Sequence, residues 1–318
     1  MNDFRMISPA SRRAAMALPM VLWTIALLGG IVILLAGVIS GWADEETRAG
    51  KLLRAREQAL SGIAVAMNPA VQAGDPLLNS ANADGSEGYS VVLGDDSGLI
   101  NPNAFLGATP DRRDLLKNLF SAWGLKPDLA DTAADSLYDW QNPSPFRSLH
   151  GAKAQDYAAA GRAGLPPGAP FSTPGEMSLV LGFDPVVEAR PDWGKFFTTS
   201  WKGKVNLLHA PRGVLIGFAG LTPSQADAWI TMRNGKDGIE GTPDDLKVGN
   251  LDQAASLIGA SGRQRKMLEE TCDVTGSVRR IESTGYCNGI KRIITVVVGT
   301  GGQENPQNTV NVLGWSER

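Results

Sequence analysis

The sequence predicts an α+β protein in which a long N-terminal helix leads into an antiparallel β-sheet domain that a mostly helical domain interrupts. Three observations predict it. No charged residue occurs between Arg13 and Asp44. Strand-like segments fall in two blocks, one around Tyr89 and one after Cys272. Between them, from Asn103 to about Gly262, apolar residues recur at helical spacing, punctuated by glycine and proline. Two blocks of strands so far apart share one sheet only if the helical stretch is an insertion.

The first element is the apolar run 16–43, MALPMVLWTIALLGGIVILLAGVISGWA. A helix of about 20 such residues spans a bilayer core, at ~1.5 Å per residue. Arg5, Arg12 and Arg13 precede it, and Asp44, Glu45, Glu46 and Arg48 follow. Helical spacing resumes at Leu52, Leu53, Leu60, Ile63, Ala64 and Met67 and stops at Asn68-Pro69, because proline disfavours helix in the residue before it. Three readings of this run stand open. A cleaved secretory signal would use Gly41-Trp42-Ala43, although its apolar core is normally about 7–15 residues. An uncut anchor would keep the arginines cytoplasmic. A leader cut before Met16 would leave the helix in the mature protein, with Pro19 in its first turn, where a missing N–H breaks no bond.

Residues 68–88 are polar and read as a loop, and 89–93 (YSVVL) as a strand. After a turn at 94–98, residues 99–101 read as its hairpin partner. Residues 111–123 place Leu115, Leu116, Leu119, Phe120 and Trp123 on one helix face, closed by Gly124. Residues 127–140 form a second helix that Asn142-Pro143 ends, and 143–170 a long irregular connection. Ser172 or Thr173 caps a further helix, with Pro174 in its first turn and Glu176 following. Residues 196–201 and 204–208 read as extended, and 277–283, 290–298 and 309–315 as closing strands.

A weak internal repeat runs through the helical stretch. Gly98-Leu99-Ile100-Asn101 is echoed by Gly203-Lys204-Val205-Asn206, and Gly124-Leu125-Lys126-Pro127 by Gly220-Leu221-Thr222-Pro223. Each copy reads as an extended piece, a helix, a Gly-Leu-x-Pro turn and a second helix, resembling a helix-hairpin-helix unit.

The chemistry on offer is sparse. The net charge is −3, and because the first 15 residues hold three arginines against Asp3, the chain from Met16 onward is about −5, which argues against neutralising a phosphate backbone. The two histidines, His150 and His209, stand alone in loop-like settings and read as surface or capping residues. No HExxH, GxSxG or GxxxxGK[ST] occurs. Residues 299–302 (GTGG) join strands and open no helix, so they do not cradle a phosphate. The segment 234–245, NGKDGIEGTPDD, gathers Asp237, Glu240, Asp244 and Asp245 among glycines. Calcium takes six to eight oxygens, and glycines let backbone carbonyls turn inward. The spacing is not that of an EF-hand, and a solvated turn is the other reading. Cys272 and Cys287 bracket a β segment; outside the cytoplasm they read as a disulfide, and otherwise as two buried thiols.

Taken in order, MALPMVLWTIALL, GLINPNAF, LADTAADSLYDW, APFSTPGEMSLVLGF, KVNLLHAP and the closing VNVLGW resemble the K-type minor pseudopilins of the type II secretion pathway over nearly the whole chain. That subfamily lacks the glutamate usual at the fifth mature position of pilins, and Met20 stands there. The resemblance implies cutting by a prepilin peptidase between Ala15 and Met16 and a single-pass inner-membrane helix with the N-terminus cytoplasmic before processing. The body would be periplasmic. It implies assembly with I- and J-type pseudopilins at the pseudopilus tip, contact with the inner-membrane secretion platform and with exported substrates, calcium binding, no nucleic acid and no catalysis. The implied division is leader 1–15, helix 16–68, sheet domain 69–102 with 263–318, and helical insertion 103–262. Departures are Ala15 where glycine is usual, Leu208-His209 where asparagine-threonine is common, and a missing acidic run at 151–157. A membrane-anchored periplasmic enzyme, a type IV pilus-like minor pilin and a helix-hairpin-helix nucleic-acid binder are the competing expectations.

Overall fold

The computed structural model describes residues 10–107, 112–299 and 311–318, and for 10–21, 24 and 35–47 the backbone alone. Helix α1 runs Ala10–Ala66. Among the described residues no helix is long and apolar enough to cross a membrane. Where side chains of its first half are described, they face outward: Leu22, Trp23, Ile33 and Leu34 are 60–75% exposed. Residues 1–9 of the expected leader lie outside the described residues, and Ala15 and Met16 fall where only backbone is described.

The second half of α1 buries Ala55, Ala59, Ile63 and Ala66, at the three- and four-residue spacing of one helix face. Beyond it come β1 (Asn79–Ala81) and β2 (Glu87–Asp95). The chain then leaves the sheet. A 3-10 turn at Asp96–Gly98 follows, started by Asp95, whose carboxylate accepts the Ser97 N–H at 2.7 Å. The expected hairpin between 89–93 and 99–101 is therefore not formed: Ile100 instead bridges Phe197 in parallel. A Cβ on Gly98 would overlap the His209 backbone, so the turn is pressed against the inserted region.

The insertion opens with α2 (Pro102–Leu106), α3 (Arg113–Ala122), α4 (Pro127–Gln141) and α5 (Ala154–Ala159). The helix expected after Thr173 is a 3-10 segment, Pro174–Leu179, and Gly182 in a left-handed conformation turns the chain into α6 (Asp184–Ala189). Then come β3 (Val205–Asn206), α7 (Arg212–Gly217), α8 (Pro223–Arg233), α9 (Leu251–Ile258), α10 (Gly262–Thr271) and β4 (Cys272–Asp273), the last pairing in parallel with β3. The chain returns to the sheet as β5 (Val278–Cys287), β6 (Ile290–Gly299) and β7 (Asn311–Glu317).

The five strands of the main sheet lie in the order β1-β2-β5-β6-β7, every pair antiparallel. β2 and β5 are direct neighbours, with Asp95 opposite Arg279. The insertion thus leaves and rejoins one sheet at adjacent points. Asp95 fastens both crossings: besides Ser97 N–H, its carboxylate accepts the Val278 N–H at 3.1 Å and the Ser277 hydroxyl.

Two apolar cores result. One lies between α1 and the sheet, built from Ala59, Ile63, Ala66, Val91, Ile281, Ile294, Val296 and Val298. Alternation selects it: Ile281 lies opposite Leu93 and Val296, so one face of all three strands turns to α1. The other core fills the insertion and is aromatic. Phe105 meets Phe218 edge-on at 4.5 Å, Phe183 meets Trp193 at 5.0 Å, and Trp140 stacks on Phe171 at 5.6 Å. Its members run from Ile100 to Val274, past both limits of the 103–262 read from sequence.

The internal repeat is visible in three dimensions. Gly124 and Gly220, both in left-handed conformations, turn α3 into α4 and α7 into α8. The two hairpins meet where Gly217 lies under Leu119. The asparagines that open each copy also match. Buried Asn101 accepts the Asn103 N–H at 2.9 Å and donates to the Trp201 carbonyl at 2.5 Å. Buried Asn206 accepts the Leu208 N–H at 2.9 Å and donates to the Gly276 carbonyl at 2.7 Å.

Candidate functional site

Charged side chains gather at the seam where the insertion meets the sheet. His209, just after β3, points its Nδ1 at Glu240 Oε1, 2.8 Å away, and its Nε2 at Asp95 Oδ2, 3.7 Å away. Glu240 also accepts from Arg233 at 3.3 Å; buried Arg233 donates to the carbonyls of Leu207 and Ala210 at 3.0 and 2.7 Å. Burial works against a charge on His209, but the hydrogen bond to Glu240 and the negative charges of Asp95 and Glu240 outweigh it and raise its pKa. Beside it, buried Asp96 accepts from Thr198 Oγ1 at 2.9 Å and from Arg280 at 3.1 Å; burial raises its pKa despite the guanidinium. A cleft of about 320 Å³ opens here, with Val71, Ala73 and Leu93 as its apolar wall and Asp95, His209, Glu240 and Arg279 as its charged one. The Arg279 guanidinium donates to the Val71 carbonyl at 2.6 Å.

In this geometry His209 is held between Asp95 and Glu240, and the Ser277 hydroxyl donates to the same Asp95 carboxylate. His209 is an ion bridge between the sheet and the 234–245 loop, not the isolated surface residue expected from sequence. Its partners lie 114 positions before and 31 after it, which no local pattern reveals.

The four acidic residues of that loop are not brought together as a ligand set. Glu240 is turned toward His209 and Arg233. Asp237 accepts the Ile239 N–H, Asp244 the Lys236 N–H and the Thr242 hydroxyl, and Asp245 the Gly241 N–H, at 2.7–2.8 Å. Among the described residues no group of three His, Cys, Asp or Glu is disposed to hold a metal. In this arrangement the loop fits a self-bonded turn better than a calcium cage.

The expected disulfide is not formed: both cysteines are free and buried. Cys272 lies in β4, before β5 begins, and Cys287 ends β5, which from Val278 to Cys287 is ~30 Å long, whereas a disulfide needs Cα atoms within about 7 Å. Burial pushes the Cys272 thiol up to about 12, and the Cys287 thiol donates to Glu87 at 3.3 Å.

A second polar cluster, missed from sequence, occupies one face of α4. Asp135 takes Arg113 at 2.9 Å and the His150 N–H at 3.2 Å, with the His150 ring at 3.4 Å. Asp139 accepts the Ser148 N–H and hydroxyl at 2.8 and 2.9 Å. Burial raises the Asp139 pKa, and the bonds from Ser148 oppose that. The signal was present in LADTAADSLYDW, whose three aspartates, Asp131, Asp135 and Asp139, recur at i, i+4 and i+8 on one helix face.

Comparison with known proteins bears on this architecture. Residues 92–190 match the family described as type II secretion system (T2SS), protein K. Among solved structures, the chain is similar to one in the GspK-GspI-GspJ complex of the type 2 secretion system of enterotoxigenic Escherichia coli. The TM-score is 0.62 and the identity 16%, over 88% of this chain and 99% of that one. At that identity the likeness is one of fold. A search of curated proteins returned no match.

Proposed function

We propose, from the support that both comparisons lend to a type II secretion system protein K, that this chain is a non-catalytic minor pseudopilin acting at the tip of the pseudopilus. The carrying observation is the pairing of a K-type segment at 92–190 with a fold that matches over most of the chain. In this reading α1 is the pilin-like helix, anchored in the inner membrane, and the sheet and insertion are periplasmic. The prepilin peptidase cuts between Ala15 and Met16. Proline chemistry favours the cut: uncut, Pro19 lies inside the Ala10–Ala66 helix and removes a hydrogen bond, whereas in a chain starting at Met16 it occupies the first turn.

The I- and J-type pseudopilins are the proposed partners, packing along the outward-facing apolar side of α1, and the secretion platform receives the assembled tip. A fifth-position glutamate pairs with a neighbour's N-terminal amine in pilins, and a subunit with nothing above it has no such neighbour; Met20 suits that place. The bulk of the insertion would block a further subunit, which makes the chain a cap. Calcium is proposed on the resemblance alone, and its uptake requires Asp237, Asp244 and Asp245 to exchange their N–H donors for the cation. A calcium titration followed by melting tests it; an unchanged Tm removes it.

Two measurements test the main reading. Sequencing the mature N-terminus should give Met16; Asp44 would indicate an ordinary signal peptide and Met1 an uncut anchor. Co-purification with the I- and J-type subunits of the same system should yield a stable complex, and turnover of a substrate by a chain that binds neither would overturn the proposal.

A further inference from the structure

Four charged side chains line the cleft at the seam, and three of them satisfy one another. Asp95 accepts the Ser97 and Val278 N–H groups and the Ser277 hydroxyl, and it faces His209. Glu240 accepts from His209 and from Arg233, and close by Asp96 is paired with Arg280. Arg279 is the exception. In the sheet it stands directly opposite Asp95, a place where unlike charges pair, but that carboxylate is turned to the donors just named. Among the described residues the Arg279 side chain makes one hydrogen bond, to the Val71 carbonyl, and meets no carboxylate at ion-pair distance. Burial lowers its pKa and no neighbouring charge raises it.

A partly buried guanidinium without a counter-ion is costly to keep. The bond to Val71 holds it in place and leaves the rest of its planar fork of donors unused, the geometry that takes a carboxylate in two parallel bonds. Beside it, Pro69, Val71, Ala73 and Leu93 form an apolar wall. At about 320 Å³ the cleft lies at the small end of ligand pockets. Charge fixes the ligand's valence. Asp95 and Glu240 are compensated but remain negative, so one unpaired cation suits a single negative charge. A doubly charged phosphate would face both carboxylates with one counter-ion.

We infer that this cleft is a binding site for a monocarboxylate with an apolar body, its carboxylate on Arg279 and its body against Val71, Ala73 and Leu93. A free short-chain acid and the C-terminal residue of a polypeptide present the same chemistry, and the test separates them. Nothing about the site depends on the pseudopilin reading.

The full chain, in a neutral detergent and with isotope-labelled arginine, is titrated with four probes while the Arg279 Nε–H signal is followed by NMR. Arg279→Lys, which removes that signal, assigns it. The probes are pentanoate, pentylamine, N-acetyl-leucine and N-acetyl-leucine amide. The carboxylates should shift the signal saturably, whereas the amine and the amide should not. Arg279→Gln should raise the carboxylate Kd tenfold or more, as for loss of a charge-assisted bond. N-acetyl-leucine binding at least tenfold tighter than pentanoate assigns a polypeptide C-terminus, and any smaller preference a free acid. Pentylamine or the amide binding as tightly as the carboxylates overturns the inference, and so does a shift that saturates with neither carboxylate. Those comparisons use the unaltered chain, so they decide even where Arg279→Gln fails to fold.

Discussion

The seat of α1 on the sheet and the core of the insertion are built on opposite principles. At the seat, backbone lies on backbone: Ala55 and Ala59 face Gly285, where an added Cβ would overlap the Ala55 carbonyl, and Gly62 meets Ser283 and Val91 as closely. In the insertion the space between helices is filled by large rings, with Trp140, Trp229, Tyr157, Phe120, Phe183 and Phe218 all fully buried. The first arrangement has no room for a methyl group, and the second leaves a hole if a ring is removed. Additions should therefore break the seat, and deletions the insertion. The contrast sets a helix seat fixed by close approach of the backbone beside an insertion that stands on its own core.

The largest effect should come from the deletion side. Trp229 is buried and its indole N–H donates to the Leu207 carbonyl at 2.8 Å, so Trp229→Ala removes a ring and one of the two bonds to that carbonyl, the other coming from Arg233. A loss of about 3–5 kcal/mol is expected in denaturant unfolding. If the two cores are independent, hydrogen exchange in β2, β5 and β6 will stay slow in this variant. Loss of sheet protection in step with the insertion would mean that the cores form one unit.

Gly285→Val tests the other side. It forces α1 away from β5 and should cost about 3 kcal/mol, the upper end for overpacking. Near-UV circular dichroism, dominated by the insertion's aromatic residues, should be unchanged while α1 loses protection. A tolerated valine would show that the close approach is not what fixes the helix.

The repeat supplies a finer comparison within the insertion. Asn101 and Asn206 make the same pair of bonds, one to an N–H two residues on and one to a distant carbonyl. Asn101→Ala and Asn206→Ala should each cost about 1–3 kcal/mol by leaving buried groups unpaired. Similar losses would mark the two positions as equivalent; a large loss at one alone would make the echo superficial.

Much of this arrangement was legible in the order of residues. The closing strands show alternation bounded by Gly and Asn turns, and the Gly-Leu-x-Pro turns announced both helical hairpins. What was not legible depended on contacts across the chain. The limits of the insertion are set by Asp95, which joins Ser97 to Val278, and one aspartate in a turn carries no sign of a partner 183 positions away. The cysteines looked paired because they bracket a β segment, but a strand separates its ends, and only a hairpin would have reunited them. The helix expected after Thr173 had its start signal in Glu176, whose carboxylate does accept the Ser172 N–H at 3.0 Å, yet the segment tightens to 3-10 and Gly182 then reverses it. His209 was discounted as solitary because Asp95 and Glu240 reach it only through the fold.

That histidine yields the smallest effect expected, and it acts at the seam between the two regions and not inside either. Asp95, Glu240 and Arg233 face or adjoin it, and the carboxylates outweigh burial and the guanidinium, so its folded pKa lies above the unfolded value of about 6.5. A raised pKa means that the folded state binds the proton more tightly. The stabilisation is fully present below the unfolded pKa and is lost as pH rises through the folded one. Tm should thus decline as pH is raised from 6 through that window, and His209→Gln should flatten the slope there. Burial also raises Asp96 and Asp139, but their windows open near the unfolded carboxyl value of about 3.9, and the difference between the wild-type and His209→Gln curves excludes them. Because Glu240 lies in the 234–245 loop, deprotonation should first free that loop from the sheet, seen as faster exchange at Ile239 and Gly241 while α1 and the aromatic core stay protected. An identical slope in both proteins would mean that the ion bridge does not fasten the seam.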